Sequence, residues 1–139
     1  MVEISKILND KIVNIRENAF PNEVCGVLIG KVNNEDFKIL DFKVCKNLNE
    51  QRSIDRYNLD PRDYMKAQEY AEKKNLDIIG IYHSHPNHPA IASKTDNFRA
   101  WPSYVYLIYS IYEEEFKDLT GWVLNEKEGK LEKTNIVIP

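Results

Sequence analysis

The 139-residue chain has only two cysteines, Cys25 and Cys45, and this scarcity excludes scaffolds and sites built on thiols. Two cysteines are too few for a disulfide framework or for a four-thiolate zinc site. No apolar run approaches the ~18 residues that a membrane span needs. The start of the chain mixes charges among its apolar positions and does not resemble a signal peptide. We therefore expect a cytoplasmic protein with two reduced, partly buried thiols.

The chain also lacks a strong excess of either charge. Its formal net charge is -3, and no basic stripe stands out in the sequence. Proteins that bind nucleic acid cluster their cations against the phosphates, so we expect neither nucleic acid nor a membrane as a partner. A hydrophobic fraction of 42% and a charged fraction of 29% are ordinary for a globular protein. The length predicts a single domain over residues 1–139.

The first part of the chain predicts a helix and then a strand. Apolar residues recur at helical spacing from Ile4 to Ile15, which predicts an amphipathic helix over residues 2–18. Pro21 ends this pattern. The β-branched and nearly continuous apolar run from Glu23 to Val32 then predicts a buried strand.

A hairpin is predicted next, because an alternating segment follows a polar turn. The segment Phe37–Cys45 alternates apolar and polar residues and predicts the return strand. A three-residue loop at Asn34–Asp36 would place Cys25 opposite Cys45. Residues 46–56 are polar and without periodicity, which predicts a surface loop.

The second half of the chain predicts another helix and the rest of the sheet. Asp60 before Pro61 is a capping residue followed by proline at the first helical position. The run Asp77–His85 is the most strand-like in the chain, and we place it at the centre of the sheet. Three further strands are expected near residues 103–111, 115–125 and 129–138. The fold class is therefore α/β (α+β), with one mixed sheet flanked by helices.

All three histidines lie in one stretch, "HSHPNHPAIASKTD". Residues two apart on a strand point to the same face, so His83 and His85 project side by side from the end of the predicted central strand. Pro86 is expected to stop the strand ladder there and open the site to solvent. Catalytic zinc binds three protein ligands, which include imidazole and carboxylate, and one water. Asp96 could supply the third ligand if Ser93 caps a short helix.

His-x-His alone is a weak signal, and several sites that contain it are excluded by neighbouring residues. Metallo-β-lactamase sites continue with Asp-His, whereas residue 87 here is asparagine. Zinc deaminases need His-x-Glu and a closely spaced cysteine pair, which this chain lacks. Amidohydrolases built on a TIM barrel need a chain of about 250 residues.

The longer pattern resembles the JAMM (MPN-plus) family of zinc metalloproteases. The family signature is an upstream glutamate, then His-Ser/Thr-His, seven residues, serine, two residues and aspartate. The matching positions here are Glu23 in "PNEVCGVLIG", His83, His85, Ser93 and Asp96. The resemblance extends through "YNLDPRDYMKA" and "WPSYVYLIYS" and implies the cytidine-deaminase-like JAMM/MPN fold.

The resemblance also implies a role for each matching residue. His83, His85 and Asp96 would hold one catalytic zinc ion, which activates a bound water. Glu23 would be the general base that takes the proton of this water and later delivers it to the departing amine. Ser93 would donate a hydrogen bond to the oxyanion.

Other residues near the signature have simpler interpretations. Ser84 should point away from the histidine pair and serve the structure. His88 lies outside the signature and is expected at the rim of the site. Arg56, Tyr57 and Trp101 are candidates for a substrate groove, although aromatic residues more often belong to the core.

The resemblance implies hydrolysis of the peptide or isopeptide bond after the C-terminal tail of a ubiquitin-like protein. The short 46–56 loop and the lack of a second insertion before Tyr104 are typical of a compact prokaryotic member, whose substrate would be a small ubiquitin-like or sulfur-carrier protein. One alternative is a peptidase that releases a single amino acid, such as cysteine, from a sulfur-carrier tail. Another is a non-catalytic MPN scaffold, against which the intact signature argues.

Overall fold

The computed structural model describes residues 1–19, 24–48, 59–93 and 100–139, which form two helices and one eight-stranded sheet. The helices are α1 (Lys6–Ala19) and α2 (Pro61–Lys73). The strands are β1 (Val2–Ile4), β2 (Cys25–Asn33), β3 (Asp36–Cys45), β4 (Asp77–Pro86), β5 (Val105–Tyr112), β6 (Glu115–Asn125), β7 (Lys130–Thr134) and β8 (Ile136–Val137).

The strands lie in the order β7-β6-β5-β4-β2-β3-β1-β8, so β4 is central, as predicted. β4 runs parallel to β5, and β1 runs parallel to both β3 and β8, whereas the other neighbours are antiparallel. Helix α2 packs on one face of the sheet and α1 on the other. The predicted mixed sheet with flanking helices is confirmed.

Helix α1 begins at Lys6, so the predicted helix over residues 2–18 is wrong at its start. Val2 and Ile4 are fully buried in β1, between β3 and β8. Ser5 marks the boundary, because its Oγ accepts a hydrogen bond from the Leu8 N–H at 3.2 Å, as a helix cap does. The apolar residues therefore recur at every second position before Ser5 and at helical spacing after it.

The β2–β3 hairpin has the predicted cysteine register for a different reason. Cys25 pairs with Cys45, as expected. The turn, however, is Asn34–Glu35, so the predicted three-residue loop is wrong. A β-bulge at Leu40 adds one residue to β3 and brings the cysteines back into register.

Helix α2 begins as the sequence predicts. The Asp60 carboxylate accepts a hydrogen bond from the Arg62 N–H at 2.9 Å, and Pro61 follows at the first helical position. Ala67 and Ala71 are buried against β2, β3 and β4. Within the described residues, neither helix is long and apolar enough to cross a bilayer.

The strand predicted near residues 129–138 is two strands that lie at opposite edges of the sheet. β7 pairs with β6, whereas β8 pairs with β1, and only Asn135 separates them in the chain. The Val2 N–H donates to the Asn135 carbonyl at 2.8 Å. Because the two edge strands are joined by a single residue, the sheet must curl so that its two edges lie close together.

Gly26 on β2 makes room for the aromatic ring that precedes the histidine pair. A Cβ at residue 26 would lie 2.4 Å from Cζ of Tyr82 and 2.3 Å from the carbonyl oxygen of Lys43. Tyr82 is fully buried and also packs against Phe42, with ring centroids 5.8 Å apart. The ring can occupy this position only because residue 26 has no side chain.

We expect Gly26→Ala to lower the free energy of unfolding by about 1–3 kcal/mol, because the added methyl group displaces Tyr82 or the neighbouring strand. Urea denaturation followed by circular dichroism measures this change. Gly129→Asn is the matched control: residue 129 lies in a turn at φ 65° with open space around it. Asparagine tolerates that conformation. Equal stability of Gly26→Ala and the native protein would contradict the packing argument.

Candidate functional site

The predicted zinc ligands lie at the end of β4, where, among the described residues, pairing with β5 extends further than pairing with β2. Pairing with β5 continues to Pro86, opposite Ile111, so the prediction that Pro86 stops the ladder is wrong. The Asn87 N–H donates to the Ile111 carbonyl at 2.6 Å. Adjacent N–H positions point to opposite sides of a strand, so the missing N–H of Pro86 falls on the side of β2. There, the last strand pair among the described residues is Cys25 with His83.

Ser84 ties the beginning of β2 to β4. Its Oγ accepts a hydrogen bond from the Val24 N–H at 2.9 Å, and its own N–H donates to the Val24 carbonyl at 3.0 Å. Ser84 thus has the structural role that the sequence predicts. Val24 directly follows Glu23, the predicted general base, which lies outside the described residues.

His83 and His85 turn to the same face, with their Nε2 atoms 3.2 Å apart. His83 is buried, at 1% exposure, and His85 is half-buried. Two nitrogens that bind one tetrahedral zinc ion at its usual distance are about 3.3 Å apart. The spacing therefore fits two ligands of one ion.

The second nitrogen of His85 determines which tautomer the ring adopts. Its Nδ1 lies 2.9 Å from the carbonyl oxygen of Pro89. A carbonyl can only accept a hydrogen bond, so Nδ1 carries the proton and Nε2 directs a lone pair toward His83. Histidines that bind metals generally have this tautomer and this kind of outer hydrogen bond. The tautomer of His85 therefore fits a ring that shares one cation with His83.

The other predicted site residues are only partly within the described residues. Glu23 and Asp96 lie outside them, as does the helix predicted to follow Ser93. Ser93 itself is exposed. Among the residues that the structure describes, no group of three His, Cys, Asp or Glu side chains could hold a metal ion. The exposed His88 contributes its backbone carbonyl, which accepts a hydrogen bond from Ser110.

The predicted groove residues do not gather around the histidine pair in the part of the chain that the structure describes. Arg56 and Tyr57 lie outside it. Trp101 is 64% exposed and stacks on Tyr104, with ring centroids 6.2 Å apart. Tyr104 precedes β5, whose opposite end carries the pairing partner of His85, so this aromatic pair lies toward the other end of the sheet.

The two cysteines lie beside His83 on the neighbouring strands and are not joined to each other. Cys25 pairs with both His83 and Cys45, and its Sγ donates to the Cys45 carbonyl at 3.7 Å. Burial, together with the charges of Asp63 and Asp60, raises the pKa of Cys45 to about 11. The Cys45 thiol therefore stays protonated at neutral pH, and a protonated thiol does not bind a metal.

Two buried hydroxyls that the sequence analysis missed hold the loop after β4. Ser110 Oγ on β5 donates to the His88 carbonyl at 2.5 Å. Thr120 Oγ1 on β6 donates to the Ala90 carbonyl at 2.5 Å. For Ser110 the signal was a polar residue within the otherwise apolar strand "VYLIYSIY", whereas Thr120 lies in a strand of mixed polarity that gives no such signal. That signal does not reveal which loop the hydroxyl contacts.

The chain is similar to one protein family and to two relatives with known activities. A model of the family described as prokaryotic homologs of the JAB domain matches residues 5–125. A desampylase from Pyrococcus furiosus is 35% identical over 118 residues, which cover 84% of this chain and 76% of that protein. A desampylase from Haloferax volcanii is 38% identical over 91 residues, which cover 65% of this chain and 63% of that protein.

Two structures determined in solution share the fold. A protein from Desulfitobacterium hafniense has a TM-score of 0.86 at 26% identity and covers 100% of this chain and 93% of its own. A protein from Salinibacter ruber has a TM-score of 0.76 at 33% identity, with coverages of 100% and 92%. These similarities span the whole chain and support the fold class predicted from the sequence.

We expect neither cysteine of the folded protein to react with Ellman's reagent at about pH 8, because both thiols are buried. Unfolding in guanidinium chloride without reductant should release two thiols per chain. Between the ordinary pKa of 9.0 and the folded value of about 11, the unfolded chain loses the Cys45 proton first. Stability therefore falls as the pH rises through this range.

Cys45→Ala is the control for this prediction, since it should remove that part of the pH dependence. Fewer than two thiols in the denatured chain would show that the cysteines are oxidised and would contradict the structure.

Proposed function

The chain belongs to the family of prokaryotic homologs of the JAB domain, and on that basis we propose that it is a zinc-dependent isopeptidase that acts on conjugates of a ubiquitin-like protein. The resemblance found in the sequence is confirmed by the family match and by the two desampylases. These relatives also confirm the predicted class of enzyme, an isopeptidase hydrolase.

The observation that carries the proposal is the arrangement of the two imidazoles. Their Nε2 atoms lie 3.2 Å apart at the end of β4, and the Pro89 carbonyl holds His85 in the tautomer that leaves Nε2 unprotonated. In the metal-free protein this spacing is that of a hydrogen bond in which His83 Nε2–H donates to His85 Nε2. A divalent cation would bind the same two nitrogens once this proton is released.

We assign the metal to His83 and His85, with Asp96 as the third ligand. Zinc, when bound, would lower the pKa of a water molecule toward ~7 and polarise the scissile carbonyl. Glu23 takes a proton from the attacking water and passes it to the departing amine. Ser93 donates a hydrogen bond to the substrate carbonyl oxygen as negative charge develops on it.

The residue that precedes β2, Val24, supports Glu23 in this role. Both hydrogen bonds between Val24 and Ser84 hold the residue after Glu23 against the strand that carries the histidines. Ser84 lies between His83 and His85 in the chain. The backbone that leads to Glu23 is therefore anchored beside the metal ligands rather than elsewhere on the sheet.

The substrate class follows from the relatives. Both are named desampylases, which act on conjugates of the ubiquitin-like SAMP proteins. We propose the same class of substrate here, a ubiquitin-like protein joined through its C-terminus to a lysine. Release of one amino acid from a sulfur-carrier tail stays a prediction from the sequence, as does the cytoplasmic location.

We expect the zinc-loaded protein to cleave a ubiquitin-like protein from a lysine, and Glu23→Gln to lower kcat by about 10²–10⁴-fold while zinc remains bound. Gel assays measure cleavage, and metal analysis measures zinc. Glu72→Gln is the matched control, because residue 72 is an exposed position on α2. Full activity of Glu23→Gln would remove Glu23 from its role, and a purified wild-type chain that binds no zinc would overturn the proposal.

A comparison of two substrates separates the isopeptidase from the sulfur-carrier peptidase. We expect kcat/KM to be at least about tenfold higher for a lysine-linked ubiquitin-like conjugate than for the same protein with one added C-terminal residue. An isopeptidase would contact the protein that carries the lysine, and these additional contacts would stabilise the transition state for the conjugate alone. The opposite ratio would favour the peptidase.

A further inference from the structure

The loop that follows β4 is attached to the sheet on both sides of Pro89. Ser110 Oγ donates to the carbonyl of His88, the residue before Pro89. Thr120 Oγ1 donates to the carbonyl of Ala90, the residue after it. The Pro89 carbonyl lies between these two anchored peptide units and accepts from His85 Nδ1 at 2.9 Å.

Both anchors are rigid parts of the sheet. Ser110 is 1% exposed and lies beside His85 in the parallel β4–β5 register. Thr120 is 6% exposed, and its Oγ1 also accepts a hydrogen bond from Trp122 Nε1 at 2.7 Å. The Thr120 hydroxyl therefore accepts from Trp122 and donates to Ala90, and these two bonds together fix its orientation.

Among the described residues, the backbone hydrogen bonds that tie this loop to the sheet lie before Pro89: the Asn87 N–H donates to the Ile111 carbonyl at 2.6 Å and the His88 N–H to the His85 carbonyl at 3.4 Å. Asn87 has a positive φ of 56°, and its side chain accepts a hydrogen bond from the Glu113 N–H at 3.2 Å. The Ile91 N–H donates to the Pro89 carbonyl at 2.8 Å, but this contact is internal to the loop and moves with it. Thr120 supplies the described hydrogen bond that ties the loop to the sheet after Pro89, and Ser110 adds a side-chain bond to those before it, so both hydroxyls help to fix the carbonyl relative to β4.

We propose that Ser110 and Thr120 are positioning residues for the histidine pair: they hold the Pro89 carbonyl, which holds His85 with Nε2 unprotonated and directed at His83. The inference rests on the proposed function, because it concerns the same pair of ligands. An imidazole that loses its partner at Nδ1 can carry its proton on Nε2, and a protonated Nε2 cannot bind a metal. Outer hydrogen bonds of this kind typically change metal affinity by about 10–100-fold.

The first test measures the tautomer directly in the metal-free protein, with no need for activity. Long-range ¹H–¹⁵N correlation spectra distinguish protonated from unprotonated ring nitrogens, and the chain has only three histidines. At about pH 8 an ordinary imidazole is neutral. We expect the His85 proton on Nδ1 in the wild type, and a mixture of tautomers in Ser110→Ala and Thr120→Val.

The second test measures zinc affinity by competition with a chelator. We expect the Kd to rise about tenfold in Ser110→Ala and in Thr120→Val, the lower end of the range for outer hydrogen bonds. Thr120→Ser keeps the hydroxyl and should restore the wild-type Kd to within about twofold. Thr120→Val and Thr120→Ser decide the question even if Ser110→Ala does not fold.

Tyr109→Phe is the matched control, because it also removes one buried hydroxyl from β5. The Tyr109 hydroxyl donates to Asn9 Oδ1 on α1 at 2.8 Å, on the other face of the sheet. This variant should lose stability in the same way but keep the wild-type tautomer and Kd. A residue that only stabilises the fold would behave like Tyr109→Phe in both tests.

The outcomes separate the two claims. An unchanged His85 tautomer and unchanged Kd in folded Thr120→Val would overturn the positioning role, whatever the enzyme does. Zinc-free wild-type protein would instead overturn the proposed function, and the tautomer spectra would still show whether the hydroxyls position His85.

Discussion

Along a β-strand every second side chain points to the same face, and the candidate site depends on this alternation at the end of β4. β5 holds β4 straight as far as Pro86, so His83 and His85 share a face and their nitrogens converge to 3.2 Å. On the other side, pairing with β2 ends near His83 within the described residues. Pairing with β5 thus holds both ligands in place, and His85 is half-buried whereas His83 is fully buried.

Much of the fold could be predicted because its signals are local. The cap at Asp60 and the apolar run of β4 each identify their element without knowledge of the rest of the chain. The errors occur where distant partners decide the structure. Residues 2–4 form a strand because β3 and β8 flank them, and the segment after residue 129 divides at Asn135 because its two parts join opposite edges. The bulge at Leu40 coincides with a break in the alternation of β3, where Ile39 and Leu40 are both apolar, but the break alone does not identify a bulge.

The features of the candidate site are likewise of two kinds, those that local sequence predicts and those that distant contacts determine. The spacing of His83 and His85 is a property of one strand, so the sequence predicts their convergence. The Pro89 carbonyl is also near in sequence, but its contact depends on the shape of a loop with a positive φ at Asn87. The hydroxyls that hold this loop come from β5 and β6, more than twenty residues away. Periodicity carries no information about such contacts, whereas strand register reveals them at once.

The curl of the sheet has a consequence for the order of folding. β1 and β8 come from nearly opposite ends of the described chain, and closing so long a loop costs more conformational entropy than forming the β2–β3 or β5–β6 hairpins. We therefore expect the contact between Val2 and Asn135 to form after the hairpins that bear on the histidines. Contacts that form after the rate-limiting step of folding govern how fast a protein unfolds, so we expect loss of this contact to shorten the lifetime of the native state.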